Sequence, residues 1–186
     1  MTTLEILTFT ISVLAVIVAT AAAVYARIAT EKAHKANEIS EAALRFQVLV
    51  PALTDYMSAD MYVAIGNLWS FYKTDPSTLG GRFITQRNSD QQTIDSLPPE
   101  KRMDFIKTTV DYHRRQVGQF YGLVTSIYNE GGHQQKWVYT YWRKRELQIL
   151  PKIIIPLETA LAQAIGTDTP AISNERLKRL HDDCPN

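Results

Sequence analysis

The chain has 186 residues, is 45% hydrophobic and 21% charged, and carries a formal net charge of +1. That length and hydrophobic content suit one compact domain, and the small net charge excludes a disordered polyelectrolyte. The single cysteine, Cys184, excludes an internal disulfide and agrees with a reducing compartment.

The first feature in chain order is Ile6 to Ala26, 21 residues without a charge between Glu5 and Arg27. As a helix rising about 1.5 Å per residue, it is long enough for a hydrocarbon core of about 30 Å. Met1 to Glu5 carries an acid where a cleavable signal has a basic region, and the apolar run outlasts a signal core of roughly 7–15 residues. A retained transmembrane anchor is therefore expected. Arg27, Lys32 and Lys35 follow it and only Glu5 precedes it. The positive-inside bias then predicts a short N-terminus outside and everything after residue 27 in the cytoplasm.

Alternate steps of three and four from Ser12 meet Ala15, Ala19, Ala22, Ala26, Ala29, Ala33, Ala36, Ser40 and Ala43. A heptad path keeps one seam facing a partner helix, and small side chains let two backbones approach closely within lipid. Three further alanines, Ala21, Ala23 and Ala42, lie off the seam. With no glycine or proline from Thr2 to Val50, one continuous helix is expected until Pro51 disturbs it. Residues 1–50 form the anchor and its juxtamembrane extension in this reading.

Beyond Pro51, Met57, Met61, Ile65, Leu68 and Tyr72 have helical spacing and predict a second helix over 53–72. The polar stretch 74–98 reads as a loop, either functional or disordered. Pro98-Pro99-Glu100 suits a helix start. Met103, Ile106, Val110, His113, Val117, Phe120, Val124 and Ile127 then predict one long helix ending at Gly131-Gly132. A fourth helix is expected over about 133–149. Pro151 and Pro156 break or kink the next stretch, and Pro156-Leu157-Glu158 opens a helix that stops before Gly166. A short helix over about 173–181 closes a C-terminal tail, 167–186. No segment alternates as a strand, so the class is all-α: an N-terminal transmembrane helix continuing into a cytoplasmic helical bundle, 51–166.

Motifs for chemistry are sparse. Glu31-Lys-Ala-His34 and Glu130-Gly-Gly-His133 imitate the paired Glu-x-x-His of di-metal bundles, but the glycines interrupt one and charged neighbours surround the other. One cysteine and four scattered histidines give no zinc spacing. There is no nucleophile elbow or phosphate-binding glycine loop, so no catalytic, cofactor-binding or metal-ligating set is predicted. His113 stands on the apolar seam of its helix as a candidate proton switch, the ordinary reading being a hydrogen-bonded core histidine. Residues 101–152 hold ten Lys/Arg against four Asp/Glu, a net of +6. Arg114, Arg115, Lys136, Arg143, Lys144 and Arg145, beside Trp137, Tyr139, Tyr141 and Trp142, form a candidate contact for a polyanion or lipid headgroups. The ordinary reading again makes the aromatics core and the cations their solvated face.

Arg114, Phe120-Tyr121-Gly122-Leu123, Trp142 and Pro156-Leu157-Glu158, behind a single N-terminal span, resemble a group of uncharacterised bacterial inner-membrane proteins with a small helical cytoplasmic domain. The resemblance implies location and fold and transfers no catalytic residue. The leading expectation is a non-enzymatic, membrane-anchored scaffold. Its partners would be membrane lipids and either a second copy or another transmembrane helix. The alternative is a sensor or effector, for example in phage defence, whose basic aromatic face meets nucleic acid or a nucleotide.

Overall fold

A computed structural model of the chain describes residues 3–129, 133–167 and 174–185, apart from the side chains of residues 3–13, 45, 46, 48, 133 and 134. Among the described residues every regular element is helical and there is no strand. The chain divides into two units, Met1–Gln47 and Val48–Asn186.

Helix α1 spans Thr3–Tyr56. In the first unit, every described side chain from Leu14 to Leu44 is exposed. This is the one helix among the described residues long and apolar enough to cross a membrane. Pro51 does not end it, contrary to the sequence expectation, and the helix runs one and a half turns further. Pro51 lacks only its own N–H, and the next polar side chain supports the turn: Thr54 Oγ1 donates to the Val50 carbonyl at 2.8 Å. The interruption falls at Met57-Ser58 instead. There Ser58 Oγ accepts the Met61 N–H at 3.2 Å and caps α2, Ala59–Thr74.

The stretch read as a loop, 74–98, is mostly helix. Asp75 starts it, accepting from Ser77 Oγ at 2.6 Å, Thr78 Oγ1 at 2.6 Å and the Ser77 N–H at 3.1 Å. These hydrogen bonds hold its carboxyl down at about 2. A single 3₁₀ turn, Pro76–Thr78, leads into α3, Leu79–Ser96. Only Leu79 and Phe83 of α3 are fully buried. A ladder of exposed pairs, Gln86 to Asp90 at 2.8 Å and Gln91 to Asp95 at 2.9 Å, supports the remainder. With so narrow a buried stripe the helix leaves little periodicity to read. Gly80 explains how α3 meets its neighbour: a Cβ there would lie 3.0 Å from that of Ala160.

The long helix expected over 103–127 is two. Helix α4 is Pro99–Ile106 and α5 is Val110–Asn129. Thr108 and Thr109 turn their hydroxyls onto the Phe105 and Ile106 carbonyls at 2.7 and 2.8 Å. Thr109 Oγ1 then accepts the Tyr112 N–H at 3.2 Å, a cap in mid-pattern. The expected fourth helix also divides, into α6, His133–Tyr141, and α7, Lys144–Leu147, with the Arg143 N–H held by Glu146 Oε2 at 3.2 Å.

Next comes a π turn, Leu150–Ile154, and α8, Ile155–Ala164. The Ile155 N–H reaches back five residues to the Leu150 carbonyl. This wider register lies beside Pro156, which has no N–H to offer the ordinary ladder. Gly166, at φ +70°, terminates the run where its sequence position predicts, and the Thr167 N–H closes on the Ala162 carbonyl at 2.9 Å.

Within the second unit α5 is central, with α2, α3, α6 and the C-terminal helix around it. That last helix, α9, Asn174–Asp182, belongs to the core instead of trailing as a tail. Leu177 and Leu180 are fully buried, and Tyr139 Oη donates to the Leu180 carbonyl at 3.0 Å.

Candidate functional site

Three sets of residues were candidates from the sequence. The small-residue seam lies on the exposed part of α1: Ala15, Ala19, Ala22, Ala26, Ala29, Ala33, Ala36, Ser40 and Ala43 are all exposed. The side chain of Ser12 lies outside the described residues. Exposure alone does not single the seam out, since Ala21, Ala23 and Ala42 are exposed too. Leu14, Val16, Ile17, Val18, Val24 and Tyr25 are likewise exposed, so this stretch carries an uncovered apolar surface on all sides. His34 faces Glu38 at 3.3 Å on the exposed helix and not the Glu31 of its Glu-x-x-His motif. In the other motif, Glu130, Gly131, Gly132 and the His133 side chain are outside the described residues.

The basic aromatic region separates into core and surface. Trp142 is 0% exposed, and its ring meets Phe120 at 5.8 Å and Tyr56 at 6.0 Å, while Tyr56 stacks on Phe120 at 5.4 Å. Trp137 is buried as well. Aromatic burial of this kind serves packing, and these faces are not open to a base. Lys136, Arg143 and Arg145 are exposed. Lys144 is tied down, its Nζ donating to the His181 carbonyl at 2.8 Å near the end of α9, where a cation complements the helix dipole.

Arg114 departs furthest from the expected surface contact: it is 4% exposed. Its Nη1 donates to Oε1 of Glu158, itself 1% exposed, across from α5 to α8. Its Nε and Nη2 hold Asp111 Oδ1 at 3.0 and 2.8 Å. Arg115 reaches Asp111 Oδ2 at 3.0 Å from the exposed side, and Arg87 of α3 stands 3.8 Å from the same oxygen. The guanidinium of Arg114 also lies over the Phe83 ring at 5.7 Å. Three helices thus meet on one ion network, buried at Arg114 and Glu158 and open to solvent at Arg115. The spacing of Asp111, Arg114 and Arg115 as i, i+3 and i+4 is visible in the sequence. In the sequence Glu158 shows only the position of a helix-start acid, because its partner is 44 residues away.

His113 follows the ordinary reading geometrically. It is 4% exposed, and its Nε2 lies 3.3 Å from the Asn67 amide nitrogen. Burial lowers its pKa, because the imidazolium loses water that nothing here replaces. The folded state therefore binds its proton less readily than the unfolded chain, whose histidine titrates at about 6.5. Stability should be constant above that pH and fall as pH drops from there toward the lowered folded value. Urea unfolding across pH 5–8 measures this, with a slope below about 1.4 kcal/mol per pH unit for one proton. His113→Gln, which keeps an acceptor for Asn67, should flatten the slope with little change at pH 8. An identical slope in the variant would remove His113 as its source.

No protein-family model, curated protein or solved structure matches this chain.

Proposed function

We propose that this protein is a single-pass, membrane-anchored, non-enzymatic interaction or scaffold subunit, with its N-terminus outside and its helical domain in the cytoplasm. The observation that carries the reading is the apolar surface of α1, exposed from Leu14 onward while the second unit buries its own core. An uncovered apolar surface of this length calls for lipid, a partner helix or both. The Ala/Ser seam supplies a face on which two helices can approach closely, and the regular 3,4 spacing supports assembly with a second copy. The alternative, a sensor binding nucleic acid or a nucleotide, has only Arg115, Lys136, Arg143 and Arg145 as exposed cations of the expected set, without the buried tryptophans. Binding by such a surface would be lost steeply between low and physiological salt.

Ala22→Leu with Ala29→Leu is the test. On the seam, added side chains force the backbones apart at about 1–3 kcal/mol each, so association in mild detergent should weaken by roughly tenfold or more. Ala21→Leu, off the seam, should leave it within about threefold. Native mass measurement and cross-linking read both. Equal assembly in the two variants would refute the seam, and digestion of the C-terminal domain by protease outside sealed spheroplasts would refute the orientation.

A further inference from the structure

We propose that the exposed strip Val50, Thr54 and Met57, at the start of the second unit, is a pairing surface for a second copy of this chain, parallel and in register, a proposal that rests on the seam reading above and carries it beyond the apolar span.

Continued past Ala43, the same alternate steps meet Gln47, Val50, Thr54 and Met57. All four are exposed, whereas Leu49 and Ala52 between them are buried and Leu53 and Tyr56 pack against the core. In the second unit, therefore, the core takes one side of the last turns of α1 and leaves the heptad side open. Met57 keeps the helical phase although α1 ends at Tyr56, since its N–H donates to the Leu53 carbonyl at 2.9 Å. Val50 and Met57, one heptad apart, are 46% and 81% exposed. Burial of two such side chains in each copy is a gain that water does not offer.

Charge makes this stretch more informative than the span. Between Ile6 and Ala26 no residue is charged, so an uncharged seam there distinguishes no face. From Ala33 to Met57, by contrast, Lys35, Glu38, Glu41, Arg45 and Asp55 are interspersed, and none falls on a heptad stop. A helix that keeps one line free of charge among charged neighbours, and ends that line on Val50 and Met57, has the pattern of a coiled-coil seam. Symmetry names the occupant. Two copies anchored through the same span run parallel, so each stop meets its own counterpart across a two-fold axis. Such an axis accepts uncharged residues and rejects like charges, and the strip is uncharged throughout. In that register Val50 and Met57 take d positions, while the polar Gln47 and Thr54 take a positions.

The test treats membranes holding the full chain with a short bismaleimide. Cys184 is buried, and the wild-type chain serves as the blank. Ala29→Cys reports the seam, Val50→Cys and Met57→Cys report the strip, and Asp55→Cys is an exposed position of α1 off it. Paired thiols stand at high effective concentration, so dimers are expected with Ala29→Cys, Val50→Cys and Met57→Cys at about fivefold or more the yield of Asp55→Cys. Met57→Lys sets two like charges on the axis and should weaken association in mild detergent by about tenfold. Yields at Val50 and Met57 no higher than at Asp55, with Ala29→Cys linked, overturn this proposal and leave the seam standing. Association unchanged by Met57→Lys overturns it as well. No link at any position, Ala29→Cys included, overturns the seam and the strip together. Links at Val50 and Met57 without one at Ala29 support the strip and remove the seam.

Discussion

Glu158→Ala is expected to destabilise the helical domain by about 3–5 kcal/mol, because it leaves the Arg114 guanidinium 4% exposed with one of its two acid partners gone. Chemical unfolding of the full chain in detergent, monitored by near-UV signal from the buried tryptophans, measures the loss. The reciprocal expectation separates the value of the pair from the cost of breaking it. Glu158 Oε2 has no hydrogen-bond partner, so half of the buried carboxylate is desolvated without compensation. Arg114→Met with Glu158→Leu should therefore recover most of the loss and come within about 1 kcal/mol of wild type or exceed it. Asp111 remains paired in that variant, through Arg115 at 2.8 Å. A Glu158→Ala cost below about 1 kcal/mol would mean that Asp111 alone satisfies Arg114.

Trp142→Ala should cost about 3–5 kcal/mol, the range for truncating a fully buried large ring. Trp142→Phe should cost much less, about 1–2 kcal/mol, since the indole Nε1 is buried without a hydrogen-bond partner and only volume is lost. Arg143→Ala and Arg145→Ala, both exposed, should stay within about 0.5 kcal/mol. Thermal unfolding of the four variants separates core from surface directly. If Trp142→Ala melted with the wild type, the ring would be dispensable to packing and its role as a stacking platform would return.

At Trp142 and Arg114 the local sequence pattern does not decide burial. The pattern around Trp142 contains aromatics three to five positions apart next to Arg143-Lys144-Arg145, and such a pattern serves a core edge or a base-stacking surface equally well. The decision came from Phe120 and Tyr56, at 5.8 and 6.0 Å from the ring and far away in sequence. Arg114 is a sharper case. As one of ten basic residues in its region it reads as surface, and only Glu158 opposite makes burial tolerable.

Features set by neighbouring residues were legible from the sequence alone: helical class throughout, an uncharged run of membrane length, the stop of α8 at Gly166 and a short helix near residues 174–182. Each depends on periodicity or punctuation within a few turns, so the signal and its cause share one stretch of chain. The passage of α1 through Pro51, the helicity of α3, the break at Thr108-Thr109 and the burial of Arg114 were decided in the tertiary structure. A proline costs too little to end a helix whose following turns, at Ala52 and Tyr56, are held by a core. A polar helix anchored at Leu79 and Phe83 lacks the apolar stripe that would announce it. A charge enters the interior only where a partner 44 residues on meets it, and that meeting is a property of the packed fold.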